Sequence, residues 1–92
     1  MKGLKYYVDM KINYVIKVSD VGGWYLSDCG DFEVDKFDGF KMFNKLYEMM
    51  EGVGVSDLSE EEFEDKYEIS VMKDWMVVVD EDGFEEIIFM KV

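Results

Sequence analysis

Six residue types are missing from this 92-residue chain: alanine, arginine, glutamine, histidine, proline and threonine. Without His there is no imidazole base, no proton shuttle near neutrality and no imidazole metal ligand. Without Arg there is no planar fork to grip phosphate or carboxylate through two bonds at once; all ten cations are Lys. Together these losses make most nucleotide-binding and phosphoryl-transfer enzymes poor fits. The single cysteine, Cys29, allows no internal disulfide, which suits a reducing compartment. With no His to activate it, this thiol is a weak nucleophile and reads as an inert or partly buried small residue. No charged segment followed by an apolar stretch marks a signal peptide. The longest apolar run, Trp75 to Val79, is far too short to span a bilayer. A cytoplasmic protein is expected.

What the chain has in excess is negative charge: 22 Asp and Glu give a formal net charge of −12. Apolar residues still make up 49% and aromatics 16%, enough to fill one core, so this is one folded domain over residues 1–92 rather than a disordered acidic tail. The acids are clustered. Residues 1–27 carry a net +2 and residues 39–56 balance at zero, whereas 28–38 carry −4, 57–68 carry −6 and 69–92 carry −4. Such a surface repels DNA, RNA and anionic membranes, and steers toward basic partners.

From Tyr6 to Val18 every even position is apolar and most odd positions are polar, the period-two signature of a long strand with one buried face. Asp20-Val21-Gly22-Gly23 supplies a turn, and Gly23 to Cys29 reads as the returning strand with Trp24 and Leu26 inward. Asp31 to Val34 is a candidate third, short strand. Phe40, Phe43, Leu46, Tyr47 and Met50 then recur at helical spacing, with Asp35 or Asp38 to start that helix and Gly52 or Gly54 to end it. Ser59-Glu60-Glu61-Glu62 fits a capping box opening a shorter helix, in which Phe63 and Tyr67 point inward. The remainder reverts to strands over Tyr67 to Met72, Trp75 to Val79 and Phe84 to Val92, the last two joined by an Asp80-Glu81-Asp82-Gly83 turn. The continuous apolar runs in these strands fit either central strands covered on both faces or an exposed apolar patch used in self-association. The order β-β-(β)-α-α-β-β-β predicts an α+β fold: an antiparallel sheet of five to six strands with two helices packed on one face.

Several chemical sites fail on spacing. With Gly83 at the glycine position of a calcium loop, position one falls on Val78 and position twelve on Phe89; the same test on Asp38-Gly39 puts Val34 first and Lys36 third. Gly52-Val53-Gly54 lacks the six-residue dinucleotide fingerprint. Among 22 acids some pair is always close, so proximity alone does not indicate acid–base catalysis. Met10, Met50, Met72, Met76 and Met90 read as core filling. No catalytic residue, metal site or cofactor is expected.

The acidic clusters remain. Glu60, Glu64 and Glu68 follow i, i+4, i+8 spacing, with Glu61 and Asp65 in a second row. Like charges four apart cost a helix a few tenths of a kcal/mol each, so the fold gains no stability from them. Candidate partner-binding residues are therefore Asp57, Glu60, Glu61, Glu64, Asp65 and Glu68; a second patch of Asp28, Asp31, Glu33 and Asp35; and a third of Asp80, Glu81, Asp82, Glu85 and Glu86. In size, acidity, lack of catalytic residues and α+β arrangement the chain resembles phage-encoded DNA-mimic inhibitors, including anti-CRISPR and anti-restriction proteins. The likeness is one of type, without a shared motif, so no site residue is carried over from it. It implies a stoichiometric inhibitor that occupies the basic channel of a nucleic-acid-binding protein such as a CRISPR effector nuclease. The competing expectation is a non-enzymatic assembly module, a homodimer joined through apolar strands, whose acidity serves only solubility.

Overall fold

In the computed structural model, which describes residues 9–49 and 58–92, the alternating N-terminal segment forms β1 (Met10–Asp20), with Ile12, Tyr14 and Ile16 buried on one face. The chain reverses over Asp20–Gly23. The Asp20 carboxylate accepts a 2.7 Å hydrogen bond from the Gly22 amide, and Gly23 adopts φ 109°, a region open chiefly to glycine. It returns as β2 (Gly23–Val34), twelve residues antiparallel to β1. The proposed third strand over Asp31 to Val34 is the continuation of β2.

A bulge decides which way β2 faces. Ile16 pairs with Asp28 and Lys17 with Leu26, so Ser27 has no opposite number. One extra residue reverses the alternation. Phe32 and Val34 stay on the buried face, while Trp24 and Leu26 turn to the opposite side, 52% and 59% exposed. The expectation that they point inward fails because an unbulged strand would carry even residues on one face throughout.

Asp38 opens α1 (Gly39–Met49). Its carboxylate accepts from the Lys41 amide at 3.1 Å and its carbonyl from the Met42 amide at 2.9 Å. Met42, Phe43 and Leu46 are buried, with Phe40 and Tyr47 partly so. Met50, Gly52, Gly54 and Asp57, like Tyr6 and Val8, lie outside the described residues. The capping box of α2 (Glu60–Lys66) is formed in full. Ser59 Oγ accepts from the Glu62 amide at 3.1 Å, and the Glu62 carboxylate accepts from the Ser59 amide at 2.9 Å. The bond from the Ser59 amide, and after it the Ser59 hydroxyl beside the carboxylate, hold the Glu62 carboxyl below the ordinary carboxylate range. The cap sets the angle at which Phe63 enters the core, where it is fully buried with ring centroids 4.7 Å from Phe43, 5.1 Å from Tyr67 and 5.6 Å from Phe40.

Three antiparallel strands complete the fold: β3 (Tyr67–Val71), β4 (Trp75–Asp80) and β5 (Glu85–Lys91). Asp80 builds the last turn. Its carbonyl accepts from the Gly83 amide, its carboxylate from the Phe84 amide, and Gly83 takes φ 75°. The described strands form one sheet in the order β2-β1-β5-β4-β3, so β5, the last in sequence, lies at the centre. Both helices contribute to one core over one face of the sheet, joining Ile12, Tyr14, Ile16, Phe32, Val34, Met76, Val78, Ile87 and Phe89. Met42 and Met76 fill this core; Met72 is exposed.

Candidate binding surfaces

The registers fix where each acidic group sits. Asp80 pairs with Tyr67, and Lys17, Glu86, Val79 and Glu68 form one row across the sheet. The acids of α2 and the start of β3 therefore share an end of the molecule with the β4–β5 turn. Glu86 and Glu68 are two strand spacings apart, about 10 Å. Asp31, Glu33 and Asp35 lie elsewhere: Asp31 pairs with Asn13 and Glu33 with Lys11, at the opposite end of β1 and on the far edge of the sheet. Two of the three expected patches converge and the other stands apart.

The patches also differ in how much charge is already compensated. Asp35 makes a 3.0 Å ion pair with Lys41 that holds its carboxyl below the ordinary range. Asp31 lies 3.9 Å from Lys11. Lys41 and Lys45 share a shallow depression with Asp9, Glu33, Val34 and Asp35. Asp28 faces the helix side, where its carboxylate accepts from the Tyr14 hydroxyl at 3.4 Å and from the Cys29 amide at 2.8 Å. Burial, and then the Asp28 charge, push the Tyr14 phenol up. This patch mixes signs and spends its acids on local structure.

In the third patch the roles divide. Asp80 is committed to its turn. Glu86 lies 4.0 Å from Lys17. Glu85 is half-buried near Tyr47, Tyr67 and Asp80, and burial followed by the Asp80 charge raises its carboxyl above the ordinary range. Burial likewise raises both phenols, which share a hydrogen bond. Glu81 and Asp82 are exposed. On α2 and β3, Glu60, Glu61, Glu64, Asp65 and Glu68 are all exposed, and among the described residues no salt bridge reaches them. Glu68 lies beyond the helix, on β3, so the i+8 position is occupied by a strand residue. Asp57 falls outside the described residues. Among the described residues no group of three or more Cys, Asp or Glu side chains is arranged to hold a metal ion, and no helix is long and apolar enough to cross a membrane.

The apolar strands, expected either to be covered on both faces or to form an exposed patch for self-association, make a second surface. The apolar runs of β4 and β5 alternate: Met76, Val78, Ile87 and Phe89 are buried under the helices, whereas Trp75, Val77, Val79, Ile88 and Met90 take the opposite face. The registers align Cys29, Val15, Ile88 and Val77 in one row, with Asn13, Met90 and Trp75 beside it. Trp24 and Leu26 extend the surface at the β2 edge, and they line a small recess with Val15, Lys17 and Tyr25. Cys29, expected to be an inert or partly buried residue, is exposed here. Among the described residues these strands are covered on one face only. Compared with family models, characterised proteins and solved structures, the chain matches none.

Proposed function

We propose that this protein is a stoichiometric, non-enzymatic inhibitor that imitates nucleic acid and occupies the basic groove of a nucleic-acid-binding protein, as an anti-CRISPR protein occupies a defence nuclease. The observation that carries this reading is the convergence of exposed, uncompensated acids at one end of the sheet: Glu60, Glu61, Glu64 and Asp65 on α2, Glu68 on β3, and Glu81 and Asp82 in the β4–β5 turn. The seven residues of α2 rise about 10 Å. A duplex of that length carries about six phosphates, against four carboxylates outside the capping box and one ammonium, Lys66, on the helix. The charge densities are of the same order, and the strands hold the turn and helix at fixed separation. Such an array presents Lys- and Arg-lined channels with the sequence-independent part of what they recognise. The single cysteine, which allows no internal disulfide, fits a reducing cytoplasm, where such a target resides.

The test is capture of partners by the tagged protein from host lysate at low and high salt, beside a variant with Glu60, Glu61 and Glu64 changed to Lys. The variant shifts the formal charge from −12 to −6 and leaves Ser59 and Glu62 in place. The expected result is recovery of a nuclease or other nucleic-acid-binding protein at low salt only, displaced by duplex DNA and not captured by the variant. Undiminished capture by the variant removes α2 from the interface. Recovery of partners without a basic groove overturns the proposal.

A further inference from the structure

The sheet face left uncovered among the described residues differs from the rest of the surface in charge as well as polarity. It carries Lys11, Lys17, Asp31, Glu33, Glu68 and Glu86, and four of these six sit in pairs within the face: Lys17 with Glu86 at 4.0 Å and Lys11 with Asp31 at 3.9 Å. Glu33 and Glu68 lie on the two edge strands. Between them the middle of the face is apolar and close to neutral, on a protein of net charge −12. A basic partner gains little there, since its attraction is to the acidic end. The middle of this face, whose Lys–acid pairs are matched in its own plane, can instead meet a copy of itself, with the unpaired Glu33 and Glu68 left at the margins.

The dimensions fit that occupant. Four spacings separate the outer strands, about 19 Å, and the rows from Lys17 to Asn13 span about 14 Å along the strands. With side chains at the margins this is roughly 500 Å² per copy, or roughly 1,000 Å² for a pair, the threshold for a specific interface. It also lies at the upper end of the apolar patch that a monomer leaves open. Two aromatic anchors of the kind that dominate interfaces, Trp24 and Trp75, flank the patch at 52% and 42% exposure. We infer that this face is the contact between two copies of the chain, packed sheet against sheet about a two-fold axis near Ile88 on the central strand. The interface is isologous, so each copy lends the same patch. It adjoins the acidic end at Glu68, on the edge strand β3, and its centre around Ile88, Val15 and Val77 lies apart from that end.

Sedimentation equilibrium over the micromolar range tests this, together with the fluorescence of Trp24 and Trp75, the only two tryptophans. The expected result is a mass that climbs from one chain to two as concentration rises, with tryptophan emission moving to shorter wavelength over the same range. Salt should favour the dimer, because it screens repulsion between two acidic chains, whereas salt weakens binding of a basic partner. Ile88→Lys, which places two ammonium groups near the axis, should weaken association at least about tenfold, the loss of one anchor, while its circular dichroism matches the parent's. If that variant fails to fold, the mass and emission of the unmodified chain still decide. A single-chain mass at every concentration overturns the dimer. With emission shielded at every dilution it assigns the face to an occupant within the same chain; with emission shifting only when a basic protein is added, it assigns the face to that protein.

Discussion

Replacing Gly30 by alanine sets two opposing effects against each other. Gly30 lies in β2 opposite Tyr14 and has no positive φ, so its backbone accepts any L-residue. On backbone grounds alone, alanine would stabilise the strand by about 0.5–1 kcal/mol. The structure predicts the reverse. A Cβ at this position would meet the Tyr14 ring at 2.9 Å from its hydroxyl, 3.0 Å from Cε2 and 3.1 Å from Cζ. Carbon contacts settle at about 3.5–4.0 Å, so the ring must move by roughly half an ångström or more. It has little freedom to do so, since it is buried, packs on Phe32 at 6.0 Å between centroids and donates to Asp28. Overpacking of this kind costs about 1–3 kcal/mol. Subtracting the backbone gain leaves a net loss of about 0–2.5 kcal/mol, centred near about 1 kcal/mol, or a fall in Tm of about 4–8 °C at that centre for a domain this size. Thermal unfolding followed by circular dichroism measures it. In a Tyr14→Leu background, which lacks the ring, the same glycine replacement should be neutral or stabilising. A higher Tm for G30A in the native background, or an equal loss in both, would refute the reasoning.

Two further outcomes follow from the core. Between the ordinary Glu pKa of about 4.3 and the raised value in the fold, the folded Glu85 carboxyl holds more protons than the unfolded one. Stability is thus lost as pH rises through that window. Glu85→Gln cannot ionise, so it should melt above the parent at neutral pH and converge with it below about pH 4; the same difference in Tm at both pH values would rule this out. Phe63→Ala removes the ring that ties α2 to Phe43, Phe40 and Tyr67 and should cost about 3–5 kcal/mol, a large share of the 5–15 kcal/mol a domain holds. Urea unfolding measures it, and a loss under about 1 kcal/mol would mean that the helix is not anchored through this residue.

Local signals in the sequence identified most elements. The alternation through Ile12, Tyr14 and Ile16, the Ser59–Glu62 capping box and the Gly83 turn each depend on neighbours a few residues away, and each forms as read. Long-range features were not legible. Nothing in the residues around Ser27 announces that it has no opposite number in β1, so the reversal of Trp24 and Leu26 appears only once two strands are paired. The same alternation divides the patch over residues 28–35, sending Asp28 to the helix side and Asp31 and Glu33 to the other, although in sequence they form a single cluster. The runs Trp75–Val79 and Ile87–Met90 allowed two readings because an apolar residue on a buried face and one on an uncovered face look alike; only the position of the helices distinguishes them. Meeting of the α2 and β4–β5 acids follows from the pairing of Tyr67 with Asp80, a contact across thirteen residues of chain.

The central position of β5 sets an order on synthesis. Every other strand emerges from the ribosome before it, yet β5 hydrogen-bonds to β1 on one side and β4 on the other, so the two halves of the sheet have no direct backbone contact until it arrives. The β1–β2 hairpin and the β3–β4 pair must wait as separate pieces, each with unpaired edges and an apolar face in water. Pairing across such sequence separation is slow because the loop entropy is lost before the contacts form. Over that interval like charge repels neighbouring chains while the edges are open, whatever the acidity binds afterwards.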